Sequence, residues 1–387
     1  MIPAADGDAP ERVGWWFALE PVGADAVAWS LIRVDDEPPT GPVAAGLLDG
    51  TAPLRRLAQA LLPQRDAAQL WTGPLVDHEA EPWTAVRLGR GLIPDALREE
   101  LLAADVSRVR HTVTIACRGW LAQVPWDVLA LDASGRVRLI ERARVGAGLS
   151  PTVNAGRRRA PAPRPGAPAL RLLDPGSRHD ADLKPIYPGG YPFDWDDVLQ
   201  PGERLIPDGR PLSAEAFGEL LRAEAGWSRL LYFGHCRPGT ADTPAGACLM
   251  LSTPDGSQEF TAHTWLGDPE RWPCPARVAL IACGSDDSVQ LEQSGLPVAA
   301  VNAGAEVLTV TRWTLPLDVD PAEAATTALA LAVDAAHRAP DPLTAIGAWQ
   351  RERLTAWRTT GRRRDSPLLW GALATYLVPV AQVESPN

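Results

Sequence analysis

Apolar residues in this chain fall in short runs whose character changes past residue 168. Val13 to Glu20 and Ala26 to Val34 are β-leaning runs about a turn-like Pro21-Val22-Gly23-Ala24-Asp25, which predicts a hairpin. Leu54, Leu57, Leu61 and Leu62 have helical spacing over Ala52 to Leu62, and Pro94 to Ala104 reads as a second helix with Pro94 in its first turn. His111 to Cys117 and Arg136 to Ile140 read as strands. Asn154 to Pro168 carries Arg157-Arg158-Arg159, and four of its last eight residues are proline, so an exposed linker is expected over 154–168.

Beyond that linker, strand-like and helix-like segments alternate. Ala169 to Leu173 is a strand ended by Asp174-Pro175-Gly176. Ser213 is placed to cap a helix over Ala214 to Ala225. Then follow a strand ending at His235, a hairpin about Cys248 to Phe260, and a strand ending at Cys283. A helix over Leu291 to Ala303, a strand over Ala305 to Val310 and helices near Pro321 to His337 and Asp341 to Thr359 complete the series. Such alternation implies an α/β fold, a mainly parallel sheet covered by helices on both faces. Residues 1–85 are expected to be a small N-terminal α+β extension, a hairpin plus a helix, and 86–387 the main domain.

Composition narrows the function. The 387 residues can bury a full core, and 45% hydrophobic with 22% charged content is ordinary for a globular protein. A net charge of −11 argues against nucleic acid, whose phosphates call for a cationic surface. No apolar run is long enough to span a bilayer; Leu296 to Leu315 comes nearest, interrupted by Asn302, Glu306 and Arg312. The first twelve residues lack the basic and apolar segments of a signal peptide, so a cytoplasmic location is expected. Five scattered cysteines form no CxxC pair and no zinc-ligand cluster, and in a reducing compartment a thiol can persist as a thiol. Lys184 is the sole lysine. There is no G-x-S-x-G elbow, no phosphate-binding Walker loop and no H-E-x-x-H. Gly89-Arg90-Gly91 opens like a dinucleotide fingerprint, but Pro94 stands where its third glycine belongs. No cofactor and no metal are expected.

Two runs carry chemistry. Leu230-Leu231-Tyr232-Phe233-Gly234-His235 and Val278-Ala279-Leu280-Ile281-Ala282-Cys283-Gly284-Ser285 each end an apolar strand on one reactive side chain. In parallel sheets, chemistry sits beyond the carboxyl ends of the strands. The histidine precedes the cysteine by about 50 positions, the spacing that caspases show. A cysteine peptidase needs a thiol to attack the carbonyl, an imidazole to take its proton and return it to the leaving amine, and N–H donors for the oxyanion. The backbone N–H groups of Cys236, Cys283 and Gly284 are the candidate donors, and Gly284 would also let a substrate carbonyl come close. Taken singly, a strand-end cysteine is commonly inert core and a strand-end histidine a structural residue.

In order along the chain, several stretches resemble the CHAT group of caspase-like (clan CD) peptidases, relatives of the separases. They are Trp120 to Leu129 with its Pro125-Trp126-Asp127-Val128-Leu129, the Gly234-His235 run, the Ala279 to Ser285 run, Gly295 to Ala305, Val310-Thr311-Arg312-Trp313, and Leu369-Trp370-Gly371-Ala372 as a closing strand. The resemblance covers about Pro94 to Val380. It implies a caspase-like fold, with His235 as general acid/base and Cys283 as nucleophile. The family has glycine after its histidine where this chain has Cys236; a cysteine there would be strained if the position needs φ > 0. Relatives that cut after basic residues carry an acid in the P1 pocket. Asp286, Asp287, Asp318 and Asp320 are the candidates here, although a loop aspartate is commonly a turn or cap residue and Asp320 precedes Pro321. The implied function is cleavage of a partner protein in a bacterial regulated-proteolysis system, of defence or cell-death type, with a separate activator or sensor protein. The alternative is a caspase-like scaffold without turnover, or a ligand-sensing module.

Overall fold

In a computed structural model, residues 11–34, 43–61, 71–106, 109–150, 152–153, 156–161, 167–177, 183–186, 204–206, 211–223, 226–239, 243–286, 295–318 and 324–378 are described. Among them, eleven strands form one sheet in the order β3 (Ala44–Asp49), β2 (Ala26–Val34), β1 (Glu11–Val22), β4 (Val109–Cys117), β5 (Ala143–Ala147), β14 (Leu373–Leu377), β13 (Val307–Thr311), β12 (Arg277–Ala282), β8 (Arg229–Gly234), β6 (Ala169–Leu173), β7 (Arg204–Ile206). A separate ribbon joins β11 (Gly256–Thr261), β10 (Cys248–Thr253) and β9 (Cys236–Arg237). The large sheet is mainly parallel; the antiparallel pairs are β1–β2, β2–β3 and β13–β14. The last of these reverses the strand direction across the sheet. The α/β reading is therefore the architecture.

The central strands are buried on both faces, which is why they read as unbroken apolar runs. Leu231, Phe233, Ala279 and Ile281 pack into one core, and Leu230, Tyr232, Val278, Leu280 and Ala282 into the other. The first core also takes Val13, Trp15, Phe17 and Leu19 from β1. Strand β1 pairs in parallel with β4 from Glu11–Val109 to Leu19–Cys117. The strands within residues 1–85 extend the sheet of the remaining chain, and Ala85 lies inside a helix, α2 (Ala80–Leu92).

Several local expectations differ from the structure. Helix α2 has no counterpart in the sequence reading, because Pro82, Gly89 and Gly91 dilute its helical signal. Arg136 to Ile140 is not a strand: Ala130 and Arg138 form an isolated bridge, and the chain turns into α4 (Leu139–Arg142). The buried Arg138 guanidinium pins this bend through Glu81 at 2.9 Å and the Val128 carbonyl at 2.8 Å. The closing strand begins at Leu373; Pro367–Trp370 is a short helix opened by its proline, with the Gly371 N–H on the Pro367 carbonyl. Within 154–168, Arg158 is half-buried rather than free, its N–H on the Asn302 carbonyl and its guanidinium 3.2 Å from Glu270.

Helix α8 (Ala325–Arg338) lies under the strands that carry the candidate site. Its Asp334 carboxylate accepts from Arg171 on β6 at 2.7 Å and Arg229 on β8 at 2.9 Å, all three side chains being buried. Its His337 meets Thr309 of β13 at 2.8 Å, and burial pushes the imidazole pKa down to about 3. A histidine ordinarily titrates near 6.5, so between pH 6.5 and 3 the unfolded chain takes up a proton that the folded one refuses. That contribution is present above pH 6.5 and lost as the pH falls. Burial acts in the opposite sense on Asp127, raising its pKa to about 6, so its stabilising share is greatest below 3.8 and fades as the pH rises through 6. His337→Gln, which cannot take up the proton, is expected to lose less stability than the parent between pH 6.5 and 4 in urea titrations. Equal losses would dismiss the assignment.

Candidate active site

Strands β8 and β12 are parallel neighbours, and their last paired residues are Gly234 and Ala282. The next residue on each strand is the reactive one. His235 and Cys283 therefore leave the same edge of the sheet on adjacent strands, which in any sheet run about 4.8 Å apart. Both are half-buried. The spacing in sequence could not fix this; the register does.

Local sequence holds each side chain. A Cβ at Gly234 would come within 2.8 Å of the Tyr232 ring, so glycine is what lets that ring cross the strand end. The Tyr232 hydroxyl then reaches the His235 carbonyl at 2.6 Å and accepts from the Met250 N–H at 3.1 Å. On the other strand, Gly284 adopts φ of +66° with open space around its α-carbon. Its N–H is engaged by the Trp313 carbonyl at 3.1 Å, so it is not the oxyanion donor expected from the sequence. Ser285 is buried; its hydroxyl donates to the Leu280 carbonyl at 2.6 Å and accepts from the Thr311 N–H at 3.0 Å. The serine of the cysteine motif thus stitches the ends of β12 and β13 together. Gly284→Ala meets no clash but places an L-residue in the left-handed region. It is expected to cost about 1–2 kcal/mol, read as a lower urea midpoint.

The Cys283 sulfur lies 3.9 Å from the Leu315 carbonyl, and burial raises its thiol pKa above the ordinary value. A protonated thiol needs a base. His235 Nε2 stands 2.8 Å from the Lys184 carbonyl, and since a carbonyl can only accept, Nε2 carries the proton. Nδ1 is then the unprotonated ring nitrogen.

A third strand adds a residue that its sequence marks only as a strand terminator. Strand β6 pairs with β8 up to Leu173–Phe233, and Asp174 follows. Its N–H bonds the Phe233 carbonyl at 2.6 Å, and it holds φ of +47°, in the left-handed region. One carboxylate oxygen, Oδ2, accepts from Ser177 at 2.5 Å and from the Ile186 N–H at 2.9 Å. The other, Oδ1, is buried, has no hydrogen-bond partner, and lies 3.6 Å from His235 Nε2. The signal was present in the sequence: Ala169 to Leu173 ends on a reactive side chain just as the other two runs do.

The remaining candidates fall in different places. Cys236 enters β9 opposite Leu249 and does not have a positive φ, so it carries no left-handed strain. Asp286 is buried, with the Tyr376 hydroxyl on its Oδ1 at 2.8 Å. Asp318 is also buried; its Oδ1 takes the Thr326 N–H and its Oδ2 both the N–H and hydroxyl of Thr327, at the start of α8. Asp318 thus serves that helix as an anchor rather than facing the strand ends. Asp287 and Asp320 lie outside the described residues. Among the described residues, no group of three side chains could hold a metal ion, and no helix is long and apolar enough to cross a membrane.

The Pro125 to Leu129 segment is structural. Asp127 lies 3.8 Å from Arg312, whose guanidinium also meets the Gly371 carbonyl at 3.3 Å and the carbonyl of Leu373. This buried knot ties the segment before β5 to the ends of β13 and β14.

A parallel α/β sheet with a thiol and an imidazole at adjacent strand ends defines the caspase-like class of architecture. The CHAT domain family model matches residues 83–379, and the chain belongs to that family. A search of curated proteins returns no match. Among solved structures, chains from two crystal structures of the Saccharomyces cerevisiae separase–securin complex, at 3.0 and 2.6 Å resolution, are similar to this one. They share 12% and 13% identity over 70% of this chain, with TM-scores of 0.39 and 0.35. The similar region spans 15% and 16% of those chains.

Proposed function

We propose that the protein is a cysteine endopeptidase that cleaves a partner protein through Cys283 and His235. The observation that carries the reading is the parallel pairing of Ala282 with Gly234, which sends both side chains from one sheet edge. In the proposed reaction, Nδ1 of His235 takes the thiol proton as sulfur attacks the carbonyl carbon. The tetrahedral oxyanion is met by the N–H groups of Cys283 and Cys236. His235 then returns the proton to the leaving amine, and water hydrolyses the thioester.

A basic P1 residue is part of this reading, supported by the net charge of −11 and the acids that follow the nucleophile. Because Asp286 and Asp318 are engaged inside the protein, recognition of P1 falls to Asp287 or Asp320. The half-buried Cys283, with its raised pKa, supports a resting form that a separate activator protein engages. Family membership supports a cytoplasmic role in bacterial regulated proteolysis, of defence or cell-death type.

The test is incubation with a diverse peptide library and mapping of the cut sites by mass spectrometry, beside Cys283→Ala. Cuts after Arg or Lys that vanish in the variant are expected. Cuts after acidic or apolar residues would remove the basic P1. No cuts at all, with Cys283 no faster than Cys117 towards iodoacetamide, would leave the scaffold reading.

A further inference from the structure

Three strand ends, not two, meet at this edge of the sheet. Strands β6, β8 and β12 are consecutive and parallel, and the residue after the last pair on each is Asp174, His235 and Cys283. Asp174 departs from ordinary backbone geometry to be there, at φ of +47°, and is buried. A non-glycine residue in the left-handed region costs free energy, and such positions persist where the surroundings over-determine them.

Both carboxylate oxygens bear on His235, by different routes. Oδ2 takes the Ile186 N–H at 2.9 Å and so anchors the segment 183–186. That segment supplies the Lys184 carbonyl, which receives His235 Nε2 at 2.8 Å. Oδ1, unpartnered and buried, faces the same Nε2 at 3.6 Å. Among the described residues, the ionisable side chains nearby include Tyr232, whose hydroxyl titration is raised by burial and then by Cys236 and Asp174, together with Cys236 and Cys248.

We infer that Asp174 is the positioning residue of the site, clamping His235 through its own Oδ1 and through the Lys184 carbonyl that its Oδ2 holds in place. The inference rests on the peptidase reading above for its consequence in turnover, but the clamp itself is a property of the resting protein. Asp174 fixes the Nε2–H tautomer, leaves Nδ1 to receive the thiol proton, and stabilises the imidazolium that forms when thiolate and imidazolium are paired. An acid that orients the catalytic histidine in this manner is worth orders of magnitude in kcat in serine proteases, because the wrong tautomer offers no base. The arrangement extends the site from a pair to a row of three, one from each strand.

The test compares the parent chain with Asp174→Asn and Asp174→Glu. Asparagine can still accept from Ile186 and Ser177 with its carbonyl oxygen, but presents an uncharged amide N–H₂ where the carboxylate Oδ1 faces Nε2 at 3.6 Å. Three readouts apply. In ¹⁵N spectra of the histidine-labelled parent, neutral His235 is expected as the Nε2–H tautomer; an Nδ1–H tautomer overturns the clamp without any variant. Iodoacetamide alkylation of Cys283 at neutral pH is expected to slow about 10-fold in Asp174→Asn and to recover in part in Asp174→Glu. On a substrate found by library screening, kcat should fall at least about 100-fold with KM little changed. Parental alkylation rates in Asp174→Asn overturn the proposal. The first two readouts need no substrate, so absence of cleavage would count against the peptidase reading and not against the clamp. Conversely, cleavage that needs Cys283 yet is unaltered in Asp174→Asn would sink the clamp and leave the peptidase.

Discussion

Cys283→Ala is expected to remove peptide cleavage by at least about 10³-fold while leaving the fold intact. Loss of a catalytic nucleophile costs up to about 10⁶ in kcat where the rest of the site persists. Cys283 is half-buried, so the alanine leaves a small void and little else. Cys283→Ser should fare almost as badly, since a hydroxyl lacks the acidity and nucleophilicity that make a thiol workable with imidazole alone. Cys117 provides the control. Burial raises its pKa to about 12, and it lies at the end of β4, well along the sheet from β12. Cys117→Ala is expected to leave cleavage within about two-fold, as changes remote from chemistry do. Initial rates on the best library peptide decide the matter; a Cys283→Ala rate within ten-fold of the parent would contradict the assignment of the nucleophile.

Asp334→Ala is expected to be the most damaging change to stability, by about 3–5 kcal/mol. The carboxylate serves Arg171 and Arg229 together, from α8 to β6 and β8. Removing the carboxylate from a buried ionic group leaves two arginine charges without their shared counter-ion, which costs far more than the intact group contributes. Against a total stability of about 5–15 kcal/mol for a typical domain, such a loss is severe. The strands it releases are the two that end on Asp174 and His235, so cleavage should fall in parallel. Urea unfolding followed by tryptophan fluorescence measures it. A loss below about 1 kcal/mol would show that the arginines find other partners. Replacing all three residues by apolar ones of like volume should be far milder than the single change.

Much of this was legible in the residues themselves. Runs such as Leu230 to Phe233 and Val278 to Ala282 are apolar at every position, which a strand covered on both faces demands. Gly234 and Gly284 mark places where the chain needs a bare α-carbon, one for a ring and one for φ. Ser213 caps its helix as the sequence implies, accepting from the Ala216 N–H. The short helix at Pro367 and the bend at Arg138 were not legible, because each is set by partners far along the chain: Arg138 by Glu81, and the Pro367 turn by packing beside Trp313, whose indole N–H meets the Leu368 carbonyl. Helix α2 was hidden by its own proline and glycines, and packing overrides that weak local preference.

The same division holds at the candidate site. Which strands end on a thiol, an imidazole and a carboxylate is written in the sequence, because alternation and burial are local properties of a run. Which of those strands are neighbours is not, because pairing in a parallel sheet joins segments separated by whole crossover connections. Tertiary structure alone set Asp174, His235 and Cys283 side by side. It alone turned Asp318 inward to the start of α8 and Asp286 towards Tyr376, since a loop carboxylate takes whatever donors the folded chain brings to it. Residue identity decided the chemistry available, and strand register decided which groups could act together.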